Sequence, residues 1–157
     1  MYNLSHWESP IGIISIASDG EALIRLDFTD AKITQEHTPA CPIICECVRQ
    51  LEQYFNGDLQ VFDIPLKLEG TDFRRMVWKE LMKIRYAQTC SYSDIAKIIG
   101  KPTAQRAVGG ANNRNPVSII VPCHRVIAQD GSLSGYGGGV WRKEWLLQHE
   151  KNFSKDV

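Results

Sequence analysis

The chain has 157 residues, 43% of them hydrophobic and 23% charged, proportions of a globular protein that exclude disordered and fibrous classes. No apolar run approaches the roughly 20 residues of a membrane span, and the N-terminus has no signal-peptide pattern, so a cytoplasmic protein is expected. The net charge of zero conceals an asymmetry: residues 1–70 hold four Lys/Arg against eleven Asp/Glu, and residues 71–157 hold fourteen against seven.

A basic half joined to an acidic one points either to a polyanionic partner or to attraction between the halves. The five cysteines (41, 45, 47, 90 and 123) form no regular framework, so reduced thiols are expected. Ile11 to Ala17 is a β-branched run, and Asp19-Gly20 separates it from a second run, Ala22 to Phe28. That is a hairpin signal. Ile24, Leu26 and Phe28 alternate with Arg25 and Asp27, which gives the second strand one buried and one wet face. Ile44, Cys47, Val48, Leu51, Tyr54 and Phe55 recur at helical spacing and Asn56-Gly57 supplies a stop. Residues 59–64 read as a further strand, and 65–70 as a linker. His37, Cys41, Cys45 and Cys47 are soft ligands, but the spacing is not C-x-x-C and Cys47 falls on the apolar stripe. Ordinary thiols are expected there, and no metal is assigned.

Thr71 caps a helix whose inward face is Phe73, Val77, Leu81 and Ile84, with Arg74, Arg75, Lys79 and Lys83 around the remainder. Ser93 is the expected cap of a short helix over 94–99, which Gly100 ends. After Lys101-Pro102, Thr103 is the expected cap of a second helix over 104–112. Two short helices joined by a tight glycine-containing turn form a helix-turn-helix pattern. The second helix is rich in Ala and Gly, with Arg106 its one long side chain. Glycine costs roughly 1 kcal/mol in a helix interior, so Gly109-Gly110 implies close approach of something. That is either a packed helix or a narrow groove into which the backbone presses while Arg106 enters the base stack.

Asn115-Pro116 is a turn signal, and Ser118 to Val121 reads as a short buried extended segment ended by Pro122. Cys123 and His124 follow side by side. A lone cysteine is commonly a buried structural residue, but an adjacent base can raise its thiolate fraction. The loop 133–139 is glycine-rich with one aromatic, Tyr136, suited to forming a mobile wall for a flat ligand. Residues 141–150 form a closing helix with Trp141, Trp145 and Leu146 as expected core.

Pro122-Cys123-His124-Arg125-Val126, preceded by Arg106-Ala107-Val108-Gly109-Gly110-Ala111 and Asn115-Pro116, resembles the O6-alkylguanine-DNA alkyltransferases. Ser91-Tyr92, Gly135-Tyr136-Gly137-Gly138 and Lys143 to Glu150 also match, so the detailed resemblance runs from about Thr71 to Glu150. It implies a mixed α/β (α+β) chain. Residues 1–70 would be a ribonuclease-H-like antiparallel sheet with a helix, serving as a support. Residues 71–157 would be a winged-helix-like domain with the helix-turn-helix, carrying DNA binding and alkyl transfer. The implied activity is repair of O6-alkylguanine in double-stranded DNA by one irreversible transfer to Cys123, with O4-alkylthymine left open as a second substrate.

The resemblance also implies roles. His124 takes the thiol proton, in the family through a bridging water, with Glu150 hydrogen-bonded to it, and Asn115 braces the active-site turn. Tyr92 rotates a phosphate and protonates the leaving oxygen. Arg106 replaces the extruded nucleotide, flanked by Ser93, Ala107 and Gly109 on the DNA-facing surface, and Tyr136, Gly137 and Val126 line the base pocket. No cofactor is required, and a monomer is expected. Arg74, Arg85 and Ala87 depart from the usual Gln, Pro and Gly, which bears on loop shape and DNA grip. Two other classes fit parts of the chain. A lesion-binding protein without transfer is opposed by the intact Cys123, His124 and Glu150. A Cys-His hydrolase is opposed by the adjacency of its pair.

Overall fold

The computed structural model describes residues 2–30, 41–133 and 135–154, and the chain falls into two compact units, Met1–Leu68 and Glu69–Val157. The first unit is an antiparallel sheet of β1 (Asn3–Ser9), β2 (Gly12–Ser18) and β3 (Leu23–Thr29) in the order β1-β2-β3, followed by α1 (Pro42–Phe55). The hairpin between β2 and β3 forms where Asp19-Gly20 predicts it. Asp19 Oδ1 accepts from the backbone of Glu21 and Ala22, both at 2.9 Å, while Gly20 takes φ +97°. β1 carries no apolar alternation and leaves little trace in the sequence. Its ladder with β2, from Asn3↔Ser18 to Ser9↔Gly12, supplies the backbone partners that define it.

α1 buries Ile44, Cys47, Leu51, Tyr54 and Phe55 of the stripe expected from spacing, with Val48 only half-buried and Gln50 buried in addition. Residues 59–64 are not a strand. The Gln50 carboxamide instead pairs with the backbone of Asp63, donating to its carbonyl at 2.8 Å and accepting from its N–H at 2.9 Å. A side chain thus does what a ladder would have done. The segment expected as a linker makes one parallel bridge, Leu66 to Leu23.

The second unit runs α2 (Asp72–Leu81), β4 (Cys90–Ser91), α3 (Tyr92–Ile98), α4 (Gln105–Asn113), a 3₁₀ turn (Cys123–Arg125), β5 (Val126–Ile127) and α5 (Val140–Phe153). Thr71 caps α2 as expected, its Oγ1 accepting from Arg74 N at 3.2 Å. The Trp78 indole, 2% exposed, donates to Ala111 O at 2.8 Å and so fastens α2 to α4. α3 starts earlier than expected because Ser91, not Ser93, is its cap: Ser91 Oγ accepts from Asp94 N and Asp94 Oδ2 accepts from Ser91 N, both at 3.0 Å. α4 begins after Ala104, without a side-chain cap, so Thr103 does not play that part. Gly100 at φ +76° makes the turn between the two helices.

Two further expectations fail in this unit. Ser118 to Val121 is a buried turn rather than an extended segment, with Ile119 at φ +72°, a sparsely populated region for a β-branched residue. Trp141 is 56% exposed, its ring covered by the Arg142 guanidinium at 4.6 Å. The inward stripe of α5 is Arg142, Lys143, Leu146, His149 and Glu150, and four of the five are polar.

Candidate functional site

Asn115 sets the geometry of the segment that carries Cys123. Its Nδ2 donates to Val121 O at 2.7 Å and its Oδ1 accepts from Val117 N at 3.0 Å, which closes the turn on both sides. A backbone held at both ends tolerates the strained Ile119, a distortion that costs of order 1–3 kcal/mol. Asn112, near the end of α4, donates to Cys123 O at 3.3 Å, and β4 pairs with β5 through Cys90↔Val126 and Ser91↔Ile127. Both helices of the helix-turn-helix are therefore tied to the cysteine segment.

Cys123 is 5% exposed. Burial pushes its thiol up to about 11, while an Asn115 hydrogen bond and the Lys143 charge pull the other way. At neutral pH the resting group is a thiol, so its proton must leave during any attack. Behind it, His124 Nε2 lies 2.7 Å from Glu150 Oε2, both side chains being fully buried. Burial lowers the imidazole below its ordinary value, Glu150 opposes this, and the Arg125 and Lys143 cations add to it. Burial raises the Glu150 carboxyl, and its His124 and Arg125 contacts outweigh that, holding it well below the usual carboxylate range.

A neutral imidazole supplies a hydrogen bond but no charge, so Arg125 is the permanent cation that keeps Glu150 ionised. Its Nε donates to Oε1 at 2.9 Å, its Nη2 to Oε2 at 3.0 Å, and its Nη1 to Ile84 O at 2.8 Å. The Tyr86 ring lies 5.7 Å from the guanidinium carbon, and Ala87 N donates to Glu150 Oε1 at 3.1 Å. Ala87 sits at φ +64°, in the left-handed region that favours glycine. An ionised carboxylate only accepts, so His124 carries its proton on Nε2 and presents a lone pair on Nδ1. That Nδ1 is buried and has no hydrogen-bond partner among the described residues. The arrangement is an imidazole oriented by a charge-compensated carboxylate, next in sequence to a buried thiol.

Lys143 is fully buried, and its Nζ donates to Tyr92 Oη at 3.4 Å. Burial lowers this ammonium below its ordinary value and Cys123 acts in the opposite direction. Tyr136 is 8% exposed, and its hydroxyl is pushed well up by burial first and by Cys123 second. Val126 is buried in β5. Tyr92, Ser93, Arg106 and Gly109 line one cleft of about 280 Å³ together with Gln105, Asn113, Ala128, Gln129 and Gly135. Ala107 and Gly137 are exposed and lie outside that lining. A Cβ at Gly109 would only touch the Tyr92 ring, at 3.9 Å, and one at Gly110 would meet nothing within 4 Å. Packing inside the protein thus does not demand either glycine.

Sequence reasoning missed Arg125, Lys143, Asn112 and Ala87 as parts of this site. Lys143 and Glu150 share one face of α5 at seven-residue spacing with Leu146 between them, which was the available signal for a buried charged stripe. Among the described residues no cluster of His, Cys, Asp or Glu could hold a metal ion, and His37 lies outside them. No described helix is long and apolar enough to cross a membrane, and all five cysteines are free thiols.

Two family models match the chain. That of the 6-O-methylguanine DNA methyltransferase ribonuclease-like domain covers residues 2–68, and that of the DNA binding domain covers 72–152. A methylated-DNA–protein-cysteine methyltransferase of Methanosarcina barkeri is 50% identical over 149 residues, 92% of this chain and 94% of that protein. One of Mycobacterium tuberculosis is 47% identical over 148 residues, 92% and 90% of the two chains. Among solved structures, Mycobacterium tuberculosis OGT in complex with DNA superposes with a TM-score of 0.87 at 46% identity, covering 96% of this chain and 94% of that one.

Proposed function

Because the chain belongs to the 6-O-methylguanine DNA methyltransferase family, we propose that it repairs O6-alkylguanine in double-stranded DNA by moving the alkyl group to Cys123. One observation carries this assignment: a buried thiol, held by Asn115, lies in sequence beside a histidine whose Nε2 is fixed by Glu150 at 2.7 Å. Cys123 Sγ attacks the alkyl carbon in line with its bond to O6. An S–C bond forms, the C–O6 bond breaks, and the electron pair stays on the guanine oxygen. His124 Nδ1 takes the thiol proton. The Tyr92 hydroxyl gives a proton to the leaving purine, with the Lys143 ammonium beside it to stabilise the resulting phenolate. A thioether does not revert, so each molecule acts once and needs no cofactor.

Access follows from the surface of α4. Gln105, Arg106, Ala107 and Gly110 are exposed and only Arg106 among them is long and charged, so the helix backbone can press into a minor groove. The target atom lies within the duplex, so the base must be extruded towards Cys123, at a cost of a few kcal/mol that is smallest for a damaged pair. Arg106 fills the space left in the stack. The excess of Lys/Arg in residues 71–157 supplies phosphate contacts.

Incubation with a duplex containing O6-methylguanine, followed by peptide mass spectrometry, tests this. The expected result is one methyl group per protein, on the peptide bearing Cys123. Tight binding of the lesion with Cys123 unmodified would overturn the assignment in favour of a lesion-binding protein.

A further inference from the structure

The cleft beside α4 is lined by three carboxamides, Gln105, Asn113 and Gln129, by the Tyr92 and Ser93 side chains, and by one cation, Arg106; no carboxylate borders it. None of the three carboxamides makes a hydrogen bond to a described residue, and all three residues are exposed. A surface that only held phosphates would be lined by Lys and Arg. Carboxamides instead offer a donor and an acceptor together, which suits the edges of bases.

The three are not equivalent. The Asn113 amide packs against the loop, lying 3.1 Å from where a Cβ on Gly135 would stand. Gln129 lies outside α4, in the turn after β5. Gln105 is in the first turn of α4, next to Arg106, and Ala104 and Ala107 on either side of the pair offer no polar side chain. If Arg106 takes the place of the extruded nucleotide, Gln105 meets the adjoining base pair. In the minor groove A·T and T·A pairs show only acceptors, whereas a G·C pair adds the guanine 2-amino donor. The Gln105 carbonyl oxygen accepts from that amino group, and its NH₂ donates to the neighbouring N3 or O2.

We propose that Gln105 reads the minor-groove edge of the base pair next to the lesion, making the rate of repair depend on the guanine 2-amino group there. This rests on the DNA alkyltransferase function proposed above.

The test is single-turnover transfer at limiting protein from O6-methylguanine duplexes that differ at one flanking position, guanine against inosine. Inosine removes the 2-amino group and leaves the major-groove edge and the backbone unchanged. The expected result is about a fivefold faster transfer with guanine at one flank, the size of one net hydrogen bond. Gln105→Ala should reduce that ratio to one. Equal wild-type rates on the two duplexes, or an undiminished ratio in Gln105→Ala, would overturn the inference; the wild-type comparison stands without any variant. Labelling of the wild-type protein by free O6-benzylguanine keeps the two failures apart. Labelling with no flank dependence removes only the role of Gln105, whereas no labelling and no transfer from any duplex removes the alkyltransferase function.

Discussion

Replacing Arg125 by Met tests the charge arrangement behind the thiol. The guanidinium makes two hydrogen bonds to Glu150, at 2.9 and 3.0 Å, and one to Ile84 O at 2.8 Å, with its side chain 7% exposed. Methionine fills much of the space and leaves Glu150 buried without the guanidinium charge, while Ala87 N and His124 still bond to it. Removing one partner of a buried ion pair costs about 3–5 kcal/mol, most of it the penalty of the charge left behind. The sign of its pH dependence follows. In the wild-type protein His124 is held below its ordinary value, so the unfolded chain binds more protons near pH 6 and stability declines as pH falls through the ordinary histidine range. In the variant the uncompensated carboxylate raises both itself and His124, so the folded state binds more protons and gains stability as pH falls. The difference between the two proteins must therefore be largest near pH 8 and shrink towards pH 5. Urea unfolding of both proteins at the two pH values measures this. A difference under about 1 kcal/mol at pH 8, or one that grows on acidification, would refute the assignment of Arg125 as the compensating charge. Arg125→Lys, which keeps the charge but loses the two-pronged geometry, should recover part of the loss.

Other outcomes follow from the same geometry. Ala87→Gly should raise the unfolding midpoint, because the left-handed conformation at φ +64° costs alanine about 1–2 kcal/mol while glycine adds about 0.4–1 kcal/mol of unfolded-state entropy; a lowered midpoint would contradict this. Cys47 is fully buried, and burial foremost, with Glu46 next, raises its thiol to about 12, so unfolding between pH 9 and 12 releases a proton and stability falls with pH. Cys47→Ala should make that decline shallower by about 1.4 kcal/mol per pH unit, read from urea midpoints across the range. Lys143→Met should slow transfer to Cys123 by about tenfold at pH 7.5 through loss of the cation acting on Cys123 and Tyr92. A single-turnover rate within twofold of wild type would remove Lys143 from the site.

The order and kind of most elements were legible from contiguous residues. Asp19-Gly20 made its hairpin, the Ile44 to Phe55 stripe made α1, and Thr71 capped α2, because turns, caps and amphipathic stripes are decided within one or two turns of chain. The helix-turn-helix was legible for the same reason, although the cap of α3 fell to Ser91 once Asp94 could complete the reciprocal pair. β1 was not, since an edge strand of mixed polarity is defined by its partner.

The chemistry divides along the same line. By itself the sequence determined that a cysteine and a histidine stand together after Pro122, with a small-residue helix upstream. The roles attached to them came from resemblance to a family rather than from spacing. Only the tertiary structure decided what surrounds the pair. Glu150 reaches His124 across 26 residues, Arg125 reaches Ile84 across 41, and Ala87 reaches Glu150 across 63. Such contacts leave no periodic trace. They also reverse the rule by which cores are read, since α5 turns Arg142, Lys143, His149 and Glu150 inward and leaves Trp141 exposed. Hydrophobic patterning locates surfaces that leave water without partners, whereas a buried charge is stable only where the fold has gathered its counter-charge and donors.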